Sequence, residues 1–151
     1  MACDIRLAEE DDAEAISRVI VAALRQSNAS DYSPAVIDRV AGNFSPAAVL
    51  NLLGSRTVFV AVDGAVVLGT ASLDGTVVRT VFVSPSAQKQ GIGLQLMMAI
   101  ERRAKANGIA KLTVPSSVTA QGFYARLGFT VQRDSYYGEE RTIVMERALL
   151  P

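Results

Sequence analysis

Hydrophobic positions in the first third of the chain recur at helical spacing. Between residues 12 and 26 the apolar side chains stand three and four positions apart, which predicts one helix with a single buried face. Acidic residues at 9–12 suit the start of that helix. Two shorter helices are predicted at 34–40 and 47–53, because a serine followed by proline opens each segment. A short strand at 4–8 precedes all three.

The hydrophobic period changes after Arg56. Three segments rich in β-branched residues follow one another, and they predict strands at 57–62, 66–73 and 76–83. Asp-Gly pairs, typical of tight hairpin turns, separate the first from the second and the second from the third. The three strands are therefore expected to form an antiparallel meander.

A polar turn at 84–93 leads from the third strand of the meander into an amphipathic helix, which ends at Asn107-Gly108. A further strand at 109–114 follows this helix. Strand–helix–strand crossovers are right-handed and connect parallel strands, so we expect 109–114 to lie parallel to 76–83. A short helix at 119–127 and two last strands, 129–133 and 140–149, complete a mixed α/β pattern.

Length and charge limit the classes of function. The 151 residues suit one domain, 1–151, with a substantial core. Fifteen Lys and Arg balance fifteen Asp and Glu, and zero net charge gives no general attraction to nucleic acid or to an anionic membrane. No apolar run reaches the roughly 18 residues of a membrane span, no leader pattern is present, and Cys3 has no disulfide partner. We therefore expect a cytoplasmic protein with no nucleic-acid or membrane partner.

The chain contains no histidine. Histidine-based catalytic triads and histidine metal sites are therefore excluded, and a single cysteine rules out thiolate zinc sites. No metal site is predicted. Carboxylates, tyrosines, hydroxyls, backbone groups or water must supply the chemistry.

The turn at 84–93 is the best candidate for ligand binding, because a glycine-containing turn before a helix directs backbone N–H groups at an anion. Two common phosphate loops do not fit. Gly91 and Gly93 are not followed by the Lys and hydroxyl residue of a Walker A loop, and the third glycine of a dinucleotide fingerprint is missing. The turn instead has the pattern Gln-x-x-Gly-x-Gly at Gln88, Gly91 and Gly93, preceded by Val-x-Pro at 83–85. It resembles the acyl-CoA pyrophosphate loop of the GNAT acetyltransferase superfamily.

A second segment supports the same resemblance. Residues 123–129, FYARLGF, resemble the FYxxLGF segment that follows the next strand in that superfamily. The order of elements also agrees, and the resemblance extends over nearly the whole chain. It implies a GNAT acyl-CoA N-acyltransferase fold, a mostly antiparallel sheet with one central parallel pair flanked by helices.

The resemblance implies roles for individual residues. The backbone at Val81 would stabilise the oxyanion, and Tyr124 would protonate the departing thiolate as general acid. The alternative for Tyr124 is packing beside Phe123, and the alternative for Lys89 is simple solvation. The cofactor-binding residues implied are Val81, Phe82, Val83, Gln88, Lys89, Gln90, Gly91, Ile92, Gly93, Gln121 and Tyr124.

The general base has no clear candidate. Many relatives carry Glu near the end of the strand before the loop, where this chain has Arg79 and Thr80. The acceptor groove is expected between 26–46 and 133–141, and Pro115 is expected where the two parallel strands part. Candidate bases are therefore Asp31, Tyr32, Glu139 and Glu140, and a water relay or an acceptor amine of lower pKa is equally compatible.

The activity implied is transfer of an acetyl group from acetyl-CoA to a primary amine of a small molecule or protein, by direct attack in a ternary complex. Homodimers are common among such relatives, so a homodimer is compatible with the resemblance. Two alternatives stay open: a non-catalytic acyl-CoA-binding module, suggested by the missing base, and a transferase acting on aminoacyl-tRNA, which zero net charge disfavours.

Overall fold

The computed structural model describes residues 3–149 and shows a seven-stranded mixed sheet with helices on both faces. The strands lie in the order β1-β2-β3-β4-β5-β7-β6. They are β1 Asp4–Leu7, β2 Thr57–Asp63, β3 Val66–Asp74, β4 Val77–Val83, β5 Lys111–Ser117, β6 Thr130–Tyr137 and β7 Glu140–Ala148. The α-helices are α1 Ala13–Gln26, α2 Pro34–Gly42, α3 Pro46–Ser55, α4 Ile92–Ala106 and α5 Gln121–Arg126.

Alternate side chains of β2 belong to two different layers of the hydrophobic core, one on each face of the sheet. Val58 and Val60 pack with Ile16 and Ile20 of α1 on one face, where α1 and α3 lie. On the other face, Phe59 joins the apolar side of α4 in the larger core. The period-two alternation of a strand thus gives one hydrophobic surface to each helical layer. No helix among residues 3–149 is long and apolar enough to cross a membrane.

The neighbouring strands β4 and β5 are parallel, and every other pair in the sheet is antiparallel. This confirms the predicted mixed sheet with one parallel pair. The two strands pair only at Val77 and Thr113, next to the hydrogen bond from the Thr113 N–H to the Thr76 carbonyl at 3.1 Å. Beyond that point they part, which leaves a gap in the middle of the sheet.

Two strands, β5 and β6, run well beyond the ends that their sequence pattern predicts, whereas β2 and β3 end one residue later than predicted, at Asp63 and Asp74. β5 was expected to end at Val114 but continues to Ser117, and Pro115 lies within it opposite Val144 of β7. Proline is tolerated in a strand where its missing N–H faces no partner, and the edge of β5 that faces the gap meets that condition. β6 reaches Tyr137 rather than Arg133, because an exposed edge strand needs no apolar alternation to keep its pairing with β7.

Candidate active site

A cavity of about 790 Å³ opens where β4 and β5 part, and it is lined from both faces of the sheet. On one face its walls come from the C-terminal part of α1 and from α2; on the other they come from the start of α4 and from α5. Val81, Phe82 and Val83 of β4 line the gap itself. The parted strands therefore connect a pocket on one face with a pocket on the other.

The glycine loop forms one end of this cavity. Gly91 is the N-cap of α4 with φ +81°, a conformation that side chains rarely adopt. A Cβ on Gly93 would lie 3.2 Å from the ring of Phe123, so the loop and α5 approach closely there. The first N–H groups of α4 have no partner within the helix and carry the positive end of its dipole. This end of the cavity suits an anion.

Gln88 fixes the loop to the end of β4. Its side-chain amide donates to the Val83 carbonyl at 3.1 Å and to the Ser27 hydroxyl of the α1–α2 connection at 2.9 Å. Lys89 follows with φ +63°. The side chain of Gln88 is thus used to hold the loop, and the loop offers its backbone to a ligand.

Nine of the eleven predicted cofactor-binding residues line the cavity. Gln90 and Gln121 are not among its lining residues. Ile92 is buried in the core, so its contribution is limited to its backbone. The lining residues are Val81, Phe82, Val83, Gln88, Lys89, Gly91, Ile92, Gly93 and Tyr124.

An irregularity in β4 changes the direction of its backbone at the gap. Ser72 of β3 pairs with Arg79 and Thr70 pairs with Phe82, so two residues of β4 oppose Ala71 alone. One of these two, Thr80, has φ +57°, a strained conformation for a β-branched residue. Such strain is typical of functional sites. The bulge turns the Val81 backbone relative to a regular strand.

Tyr124 lies in the cavity wall with only 4% of its surface exposed. It packs edge-on against Phe123 and Phe129, with ring centroids 5.1 and 5.5 Å away, so the packing alternative is also met. Burial raises the pKa of Tyr124 well above its usual value, which keeps the phenol protonated. No hydrogen bond within residues 3–149 involves its hydroxyl, so the proton is available to a ligand.

Comparison with known proteins agrees with this architecture. The family model described as the acetyltransferase (GNAT) domain matches residues 28–145. The chain belongs to the GNAT family. No curated protein matches it at the level of sequence.

Three solved structures illustrate the likeness of this GNAT chain to others. It is 25% identical to the GCN5-related N-acetyltransferase (Aminotransferase, Class-II) from Rhodopseudomonas palustris, with a TM-score of 0.92 over 98% of this chain and 96% of that one. It is 20% identical to PaiA N-acetyltransferase from Thermoplasma acidophilum in complex with coenzyme A, with a TM-score of 0.83 over 98% and 99%. It is 23% identical to yncA from Salmonella typhimurium, solved with its cofactor acetyl-CoA, with a TM-score of 0.66 over 99% and 95%.

The α1–α2 connection covers the cavity of this GNAT domain on the face where α1 and α2 lie. The Tyr32 hydroxyl accepts a hydrogen bond from the Val118 N–H at 2.8 Å and donates one to the Arg141 carbonyl at 2.7 Å. Burial is the main cause that raises the pKa of Tyr32 above its usual value. Tyr32 therefore acts as a structural bridge that stays protonated at neutral pH.

Of the four candidate bases, Tyr32 and Glu140 line the cavity, whereas Asp31 and Glu139 are not among the lining residues. Glu140 forms an ion pair with Arg39 at 2.9 Å. The Asp31 carboxylate accepts from the Thr119 hydroxyl at 2.7 Å. Among the described residues, Glu140 is thus the sole carboxylate at the cavity, and it already has a cationic partner.

The structure adds Arg56 to the site, a residue that the sequence does not mark as functional. It follows α3 in the chain, yet its side chain lines the cavity, and its Nη1 donates to the Thr80 hydroxyl at 3.1 Å. A lone arginine between a helix and a strand has no spacing signal that distinguishes it from a solvated one. Its partner Thr80 lies in the bulge of β4, which has no sequence signal either.

Proposed function

We propose that this chain is an N-acetyltransferase that moves the acetyl group of acetyl-CoA to a primary amine of a small molecule or protein. Residues 1–151 would act as one domain. The observation that carries the proposal is the gap between β4 and β5, which joins the glycine loop at one end to a second pocket at the other. Two substrates entering from opposite faces would meet at the bulge of β4.

The loop end would hold the cofactor. The pyrophosphate of acetyl-CoA would accept hydrogen bonds from the N–H groups at the start of α4, and Gly91 and Gly93 leave room for this approach. The pantetheine arm would lie along the edge of β4 at 81–83 as an added strand. The relatives PaiA and yncA, solved with coenzyme A and acetyl-CoA, support this choice of cofactor.

The reaction would proceed by direct attack in a ternary complex. The neutral amine nitrogen adds to the thioester carbonyl carbon, and the Val81 N–H donates to the oxyanion that forms. As the C–N bond is completed, the C–S bond breaks and the thiolate takes a proton from the Tyr124 hydroxyl. We propose that water in the cavity carries away the proton of the amine, because Glu140 is paired with Arg39.

A non-catalytic acyl-CoA-binding module is the second candidate. The observation that favours it is the presence of Arg79 and Thr80 where many relatives have a glutamate. Such a module would bind the cofactor and leave it intact. The cytoplasmic location and the homodimer stay predictions.

Steady-state release of free thiol from acetyl-CoA, measured across a panel of primary amines, separates the two candidates. If the chain is an enzyme, thiol release is expected to depend on the concentration of the amine. Mass spectrometry is then expected to detect the acetylated amine. Cofactor affinity by calorimetry is the parallel readout. Tight coenzyme A binding without turnover on any amine would leave only the binding module, and absence of binding would refute both.

A further inference from the structure

The cavity has two chemically different ends. The loop end, defined by Gln88 to Gly93 and α5, would take the cofactor. The acceptor end, defined by Arg56, Arg79 and the facing side chains of α2, lies at the other end of β4. Arg79 lies near the start of β4 and Arg56 contacts the neighbouring Thr80, whereas Val83 ends the strand where the loop begins.

Arg56 and Arg79 share a single carboxylate. The Arg79 Nε lies 3.2 Å from Asp74 Oδ2, whereas the Arg56 Nε lies 3.9 Å from the same oxygen, beyond hydrogen-bond distance. The Arg56 side chain is 18% exposed, and its one hydrogen bond among residues 3–149 is the contact with Thr80. Desolvation by burial lowers the pKa of Arg56, and the charge of Arg79 adds to this while Asp74 opposes it. The pair leaves one positive charge unbalanced and several donors unused.

The other charged residues that line the cavity are mostly cationic as well. Lys89 and Arg126 are the further cations at the cavity, and Glu140 is the one acid among the described lining residues, already paired with Arg39. A polycationic amine would therefore meet repulsion at both ends. The same cavity also has an apolar wall, formed by Val36, Ile37, Val40 and Phe44.

We propose that the acceptor is a small amine that carries a carboxylate and an apolar side chain, with the carboxylate held by Arg56 and Arg79 at the acceptor end. This inference rests on the proposed acetyl transfer. An arginine fork matches a carboxylate in two parallel hydrogen bonds, and the apolar wall would hold the side chain. Binding the carboxylate there would leave the neighbouring amino group to face the thioester carbonyl at the bulge of β4.

The test compares matched acceptors: L-leucine, L-leucinamide, isopentylamine, O-phosphoethanolamine and spermidine. We expect kcat/KM for L-leucine to exceed that for L-leucinamide and isopentylamine by about 10- to 100-fold, the value of hydrogen bonds to a charged group. Preference for spermidine or for the neutral amines would overturn the proposal while leaving the transferase intact. Preference for O-phosphoethanolamine would overturn the carboxylate assignment. No thiol release with any amine would instead contradict the proposed function.

Variants locate the effect. Arg56→Gln is expected to raise KM for L-leucine by about 10- to 100-fold and to leave KM for L-leucinamide and the affinity for coenzyme A unchanged. Arg56→Lys keeps the positive charge but lacks the planar guanidinium, so its KM for L-leucine should lie between those of wild type and Arg56→Gln. The matched control is Arg102→Gln on the exposed surface of α4, which should leave KM unchanged for both L-leucine and L-leucinamide. Equal losses on L-leucine and L-leucinamide in Arg56→Gln would show a merely structural role and refute the proposal.

Discussion

At the scale of single residues, burial decides how Tyr124 acts. The FYxxLGF resemblance implies an acid role, for which packing is the alternative, and the ring contacts with Phe123 and Phe129 show that Tyr124 does pack. The same burial keeps the hydroxyl protonated. The two roles are compatible, because the ring packs while the hydroxyl has no hydrogen-bond partner among residues 3–149.

Tyr124→Phe should separate these roles. The phenyl ring preserves the packing, so the affinity for coenzyme A should not change. We expect kcat to fall by about 10- to 100-fold, less than the largest general-acid effects, because a thiol of pKa near 8.5 leaves with little help. Steady-state thiol release checks this, and an unchanged kcat would show that the ring only packs.

The pH dependence of stability provides the control for that variant. Because the folded state raises the pKa of Tyr124, it holds the proton at pH values where the unfolded chain, with an ordinary pKa near 10, has lost it. The stabilisation is complete below pH ~10 and declines above it by up to about 1.4 kcal/mol per pH unit. Urea unfolding between pH 9 and 11.5 should therefore show a steeper decline for wild type than for Tyr124→Phe.

At the scale of elements, the sequence predicted every α-helix and strand among residues 3–149, whereas the parting of two central strands was expected only from the family resemblance. Helical spacing in α1 and Asp-Gly turns around β3 are local signals, so these elements follow from the chain itself. The predicted ends of β5 and β6 are wrong because pairing with β7, a segment distant in sequence, extends both strands. The bulge at Thr80 and the place of Arg56 have no local signal at all, since both depend on tertiary packing.

Tyr32→Phe tests how the α1–α2 connection is held over the cavity. The substitution removes both hydrogen bonds of the hydroxyl and leaves the Val118 N–H without its partner, at a cost of about 1–3 kcal/mol in the free energy of unfolding. Urea denaturation measures this loss. Tyr136→Phe, at a tyrosine 65% exposed, is the control and should change stability little. Equal stability of the two variants would contradict the bridging role.

At the scale of the whole molecule, the proposed binding of the cofactor in the gap would be thermodynamically coupled to folding. The residues proposed to bind the cofactor come from β4, from the loop and from α5, so only the folded chain presents them together. A ligand that binds only the folded state stabilises it by mass action. The size of that effect reports on the loop assignment.

Coenzyme A at about 100 times its dissociation constant should add about 2.7 kcal/mol, or about 5–10 °C in Tm for a chain of this length. Gly91→Glu should abolish the shift, because it combines bulk and negative charge where the pyrophosphate is proposed to lie. Gly64→Glu places the same residue at a positive φ of +60° in the β2–β3 turn and should keep the shift. Scanning calorimetry measures both variants, and a full shift in Gly91→Glu would refute the loop assignment.

The parting of β4 and β5 also bears on self-association. Most sheets carry their unpaired edges at the outer border, where a strand from another chain can add and start aggregation. Here two more such edges lie at the centre, screened by α1 and α2 on one face and by α4 and α5 on the other. The unpaired backbone of β4 thus lines a cavity that a narrow ligand can enter, and the surrounding helices would hinder pairing with a strand of another chain.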